Sequence, residues 1–140
     1  MKGVFHCRKC GAALTGEITV LSTKDPAVTL PPMRAEEPIC DAGTAFKSYT
    51  PLQHSHDPAN PAPLEFTPQF WANPQDFEGA IRPTRNVSRL NGCCGLDGCD
   101  GPNMLCRVCK TEVGTMQNDC WTPLIFVPEH DNTEFRKTDT

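Results

Sequence analysis

Two Cys-x2-Cys pairs, Cys7 with Cys10 and Cys106 with Cys109, stand near opposite ends of this 140-residue chain with 95 residues between them. Two residues between thiolates let the backbone curl so that both sulfurs reach one ion at about 2.3 Å, and two such pairs complete a tetrahedral zinc site. A site closed by four thiolates has no vacant position for water or substrate, so its expected role is structural. A simple zinc ribbon separates its pairs by roughly 15–20 residues. The longer span here makes the intervening chain part of the fold, with the two pairs tying an N-terminal hairpin to a C-terminal one.

The setting of the cysteines supports metal over disulfides. The chain has 9 Cys, an odd number, and its start, MKGVFHCRKCG, places only four residues between Lys2 and Cys7. That is too short for the apolar core of an export signal, so a cytoplasmic chain is expected, where thiols persist as ligands or buried groups. No uncharged apolar run approaches the roughly 18 residues that cross a bilayer. The net charge of −4 removes the diffuse positive field that gathers phosphate backbones, which disfavours nucleic acid as a partner.

Proline and glycine shape the rest. Pro26, Pro31, Pro32 and Pro38 permit only short extended pieces in residues 22–43, and six prolines between Pro51 and Pro74 exclude a long helix there. Residues 1–128 are expected to form one domain with a Pro-rich insert at about 51–74, followed by a polar tail over 129–140. Glu17 to Leu21 and Leu124 to Val127 suit strands. Asn73-Pro74-Gln75-Asp76 is a helix-start signal, which predicts one short helix near 74–80 ended by Gly79. The run Asn91-Gly92-Cys93-Cys94-Gly95-Leu96-Asp97-Gly98-Cys99-Asp100-Gly101-Pro102-Asn103 demands tight turns and delivers the second Cys pair.

The segments Cys7-Arg8-Lys9-Cys10-Gly11 and Cys106-Arg107-Val108-Cys109-Lys110-Thr111-Glu112-Val113-Gly114 resemble the paired zinc knuckles of the β-tent proteins, the Yippee family and the thalidomide-binding domain of cereblon. The likeness covers about twenty residues. It implies a structural zinc near which two antiparallel sheets meet, one of them able to carry an aromatic ligand pocket. This chain departs from that pattern in its longer Pro-rich insert and five additional Cys. It is also similar to small bacterial proteins that carry an NGCCGLDG…DGPN…Cys segment. The expected fold is therefore mostly β: a small zinc-stabilised antiparallel sheet, β-tent or zinc-ribbon-like, with long Pro-rich loops and at most one short helix.

The five other thiols leave alternatives open. A second metal site could draw on Cys93 or Cys94, Cys99, Cys120 and Cys40, although adjacent cysteines strain to serve one zinc; buried thiols acting as small hydrophobes are the plainer reading. Cys93, Cys94 or Cys99 could instead serve a redox or soft-metal sensor or a thiol enzyme. Asp97 to Asn103 fails the register of a calcium loop and reads as turns. His54 and His56 share a face if extended, but Pro51 and Pro58 suggest a solvated loop. Arg82, Arg85 and Arg89 read as a solvated basic face. Phe66, Phe70, Trp71 and Phe77 read as core, while Trp71 with Trp121 is the arrangement from which a recognition pocket could be built.

No catalytic triad, HExxH or phosphate-cradling GxxxxGK[ST] motif occurs in the sequence. The reading that follows is a non-catalytic zinc-binding module presenting loops and aromatics to a protein or small-molecule partner. A thiol-based sensor or enzyme, and an acidic inhibitor or immunity-type partner of a basic enzyme, are the alternatives.

Overall fold

A computed structural model describes residues 1–30 and 32–138, so Pro31 and the last two residues of the expected tail lie outside it. Nine strands form: β1 Lys2–Cys7, β2 Ile18–Ser22, β3 Thr44–Ser48, β4 Gln69–Ala72, β5 Ile81–Pro83, β6 Met104–Cys106, β7 Glu112–Gln117, β8 Ile125–Pro128 and β9 Thr133–Lys137. They join in one curled sheet in the order β5-β6-β7-β8-β4-β3-β2-β1-β9. Its pairs are antiparallel except β2 with β3, which run parallel because the Pro-rich crossover of residues 23–43 carries the chain back to its starting end. The mostly β expectation holds, with this one parallel pair as the departure. No helix among the described residues is long and apolar enough to cross a membrane.

Strand alternation sets the inner core. On β1, Gly3, Phe5 and Cys7 turn inward, and on β2 Ile18 and Val20 do the same. Phe5, Phe77 and Phe126 are fully buried there, with the Phe77 and Phe126 rings 4.3 Å apart and Phe5 meeting Phe70 edge-on at 5.0 Å. Gly114 has no room for a side chain, because a Cβ would enter the Phe126 ring and the Val127 carbonyl.

The middle strands are covered on both faces. Ile125 and Val127 of β8, Trp71 of β4 and Phe46 of β3 form a second cluster with Ile39 and Leu64, and Leu52 and Phe66 pack against it. The Pro-rich insert thus covers the outer face of the sheet. Gln69, 1% exposed, fixes it there. Its amide donates to the carbonyls of Leu64 (3.2 Å) and Phe66 (2.8 Å), and its oxygen accepts from Leu52 N–H (2.9 Å) and the Trp71 indole (2.7 Å).

Two expectations need correction. The helix near 74–80 is a single 3-10 turn, Pro74–Phe77. Asn73 caps it as expected, but Phe77 is drawn into the core, the Asp76 carboxylate accepts from Gly43 N–H, and Gly79 turns left-handed at φ 85°. The residues after 128 are not all tail: Thr133 to Lys137 pair along the length of β1 as edge strand β9, with Thr133 buried. A second 3-10 turn spans Val87–Arg89.

Candidate metal centre

The two Cys pairs sit in matching local structures. Cys7 ends β1 and Cys106 ends β6. Gly11 N–H donates to the Cys7 carbonyl and Lys110 N–H to the Cys106 carbonyl, both at 2.8 Å. Cys7 N–H then reaches Ala12 O (2.9 Å) and Cys106 N–H reaches Thr111 O (2.8 Å), which closes each turn. The residue after the second cysteine is left-handed in both turns, Gly11 at φ 77° and Lys110 at φ 64°. Backbone amides in such a turn point inward and leave the sulfurs on one side.

The sheet brings these turns together. Five strands stand between β1 and β6, so in a flat sheet six steps of about 4.8 Å would hold them roughly 29 Å apart. Instead Cys7 Sγ lies 3.5 Å from Cys109 Sγ, and Cys10 Sγ lies 3.7 Å from Cys106 Sγ. Zn–S bonds of about 2.3 Å in a tetrahedron give sulfur separations of about 3.8 Å, so this donor set fits such an ion. All four sulfurs lie within 4.8 Å of one another and could hold a metal ion. Cys7 and Cys106 are buried against the inner core, Cys109 is half-buried and Cys10 faces solvent. Asn132 adds a non-metal link between the same ends: its carbonyl accepts from Arg8 N–H (2.9 Å) and its amide donates to Glu112 O (2.8 Å).

Burial pushes the Cys7 thiol up to about 12 and raises Cys106 as well, whereas the Thr111 hydroxyl, 3.1 Å from Cys109 Sγ, helps hold that thiol down to about 6. Cys109 is the member poised as thiolate at neutral pH. Four thiolates around a dication leave a net charge of −2, and the two turns carry Arg8, Lys9, Arg107 and Lys110 to offset it.

Of the other thiols, Cys93, Cys94 and Cys120 come within 4.8 Å of one another. Cys99 stays outside that group, its sulfur 3.7 Å from Asp97 O in a turn that Asp97 builds by accepting Cys99 N–H. Cys40 is a structural thiol: it donates to Thr44 O at 3.0 Å, and burial pushes it up to about 12. The residue that sequence reasoning missed is Asp119, buried, whose carboxylate accepts from the backbone of Cys93 (3.0 Å), Cys94 (2.8 Å), Gly95 (3.3 Å) and Cys120 (2.8 Å). These donors hold it far below the ordinary carboxylate range. The signal available was an Asp directly before Cys120 in a chain whose glycine loop must dock somewhere.

The Trp71 and Trp121 pair does not form a pocket. Trp71 is 3% exposed with its indole satisfied by Gln69, while Trp121 is 83% exposed. Neither lines the groove of about 600 Å³ bordered by Pro38, Pro74, Glu78, Met116 and Leu124. His54 and His56 are exposed and join no metal-like group among the described residues. The Arg82, Arg85 and Arg89 cluster is divided by use, since Arg89 pairs with Glu112 and donates to Pro102 O at 3.1 Å. His130, which the sequence did not single out, stacks on Phe66 at 4.1 Å and pairs with Glu129 at 2.8 Å.

No protein-family model, curated protein or solved structure matches the chain.

Proposed function

We propose that the chain is a non-catalytic zinc-binding module in which a structural zinc, held by Cys7, Cys10, Cys106 and Cys109, closes the curled sheet. One observation carries this reading: sulfurs delivered by strands with five others between them converge at the separations of a tetrahedral four-sulfur site. Zinc is the ion that such all-thiolate sites most commonly take, and four protein ligands leave it no position for catalysis. The likeness of both turns to β-tent knuckles supports the same assignment.

The module presents surface to a protein or small-molecule partner. The exposed Trp121 and the groove beside Leu124 support this, since aromatic side chains supply much of the energy in recognition surfaces. The test is elemental analysis of the purified chain with mapping of alkylated thiols. Zinc at one ion or more per chain, with the four thiols protected until chelation, is the expected result. A metal-free folded chain with Cys10 and Cys109 freely alkylated would overturn the reading.

A further inference from the structure

The glycine loop and the turn before β8 build a second sulfur cluster outside the four-sulfur centre. Asp119 ties its two halves together, taking N–H groups from Cys93, Cys94 and Gly95 on one side and Cys120 on the other. Asn118 adds a reciprocal pair, accepting Leu96 N–H on its side chain (2.7 Å) and donating its own N–H to Leu96 O (2.9 Å). Gly92 and Gly95 make this approach possible: a Cβ on Gly92 would strike Gly95 O, and one on Gly95 would lie 2.6 Å from Asn118 O. So dense a network on the surface buries neither Cys93 nor Cys94, both of which are exposed. What it fixes is the convergence of three sulfurs.

We propose that Cys93, Cys94 and Cys120 form a second, solvent-facing site for a soft, thiophilic metal ion held by three thiolates with one coordination position open. The donor set argues for the class of ion. Three sulfurs within 4.8 Å of one another, without a nitrogen or oxygen ligand, select soft or borderline ions over magnesium or calcium. Asp119 is the adjacent carboxylate, and both of its oxygens are committed to backbone N–H groups. The fourth position is therefore left to water or an exogenous ligand. Cys94 Sγ and Cys120 Sγ lie 2.7 Å apart, so an ion between them spreads the pair to about 3.8 Å. Adjacent cysteines ordinarily strain to serve one ion, but the turn that Asp119 anchors already sets the Cys93 sulfur within 4.8 Å of both others, and a disulfide between those two would leave it unused. Binding replaces the thiol protons, which pass to solvent.

The site is independent of the structural zinc, and the experiment separates them. The full chain, brought to one zinc per chain and with its thiols reduced, is titrated with cadmium, and total zinc plus cadmium per chain is measured after gel filtration. The wild type is expected to gain one ion with a thiolate-to-metal charge-transfer band. Cys94→Ser and Cys120→Ser each weaken that added ion by about 100-fold or more, since even outer contacts of a metal site are worth 10–100-fold. Cys99→Ser leaves it unchanged, and circular dichroism checks that each variant is folded. The proposal is overturned if no ion is gained, if the gained ion survives both Ser substitutions, or if Cys94 and Cys120 reoxidise to a disulfide that excludes it. Alkylation of Cys7, Cys10, Cys106 and Cys109 in the same samples reports the first site separately.

Discussion

Cys7 Sγ lies 3.5 Å from Cys109 Sγ, although the strands that lead into their two turns have five other strands between them. The contact makes the four-sulfur centre a closure for the sheet rather than a local turn device. It also couples the N-terminal hairpin to the C-terminal one across almost the whole chain.

Gly11 is the position at which this closure depends on backbone conformation alone. It is left-handed at φ 77°, and a Cβ there would meet nothing within 4 Å. Gly11→Ala is therefore expected to cost about 1–2 kcal/mol, the left-handed penalty without a steric one. Urea unfolding of the metal-loaded variant measures it, and an unchanged midpoint would contradict the assigned turn geometry.

Gln69→Ala should release the Pro-rich insert. The change leaves the Phe66 carbonyl, Leu52 N–H and the Trp71 indole without their partner, while the Leu64 carbonyl keeps only Gln53 N–H at 3.2 Å. A loss of about 2–4 kcal/mol is expected from buried groups left unsatisfied. Limited proteolysis should cut within residues 52–66 faster than in the wild type, with the four-sulfur site still loaded.

Asp119 fixes the acid sensitivity of the glycine loop. Its carboxyl titrates far lower in the folded chain than the unfolded value of about 3.9, so its contribution is complete above that pH and is lost as pH falls through the folded value. Amide exchange at Cys93, Cys94 and Cys120 should stay slow down to about pH 4 in the wild type. Asp119→Asn should speed it throughout the range; equal exchange in both proteins would remove Asp119 as the loop's anchor.

Cys40 should resist alkylation in the native chain at neutral pH. Its thiol is pushed up to about 12, chiefly by burial, so almost none is thiolate. The sign also predicts that stability falls as pH rises above about 8.5, where the unfolded thiol ionises and the folded one does not. Cys40→Ala should flatten that alkaline fall in a urea midpoint series.

The parts of this account legible in the sequence are the local ones. A Cys-x2-Cys turn is specified by its own few residues, so both knuckles and their shared site could be read directly. Sheet order could not, because nothing local in Ala72 or Phe126 announces that β4 pairs with β8. The insert's role was hidden because its few apolar residues, Leu52, Leu64 and Phe66, are scattered among prolines, and only the fold shows that they share a surface. Strand β9 reads as polar because an edge strand keeps one side in solvent, with Thr133 as its buried member. Trp71 and Trp121 illustrate the remaining limit: residue type alone does not distinguish a core tryptophan from an exposed one.

The most direct test is cooperative urea unfolding of the reduced chain, followed by circular dichroism, with bound zinc and again after chelation. A zinc-held closure predicts that chelation abolishes the cooperative transition or moves its midpoint sharply down, and that Cys106→Ser does the same without chelator. Identical transitions with and without metal would mean that the inner core and Asn132 close the sheet unaided, and would contradict the structural role of the four cysteines.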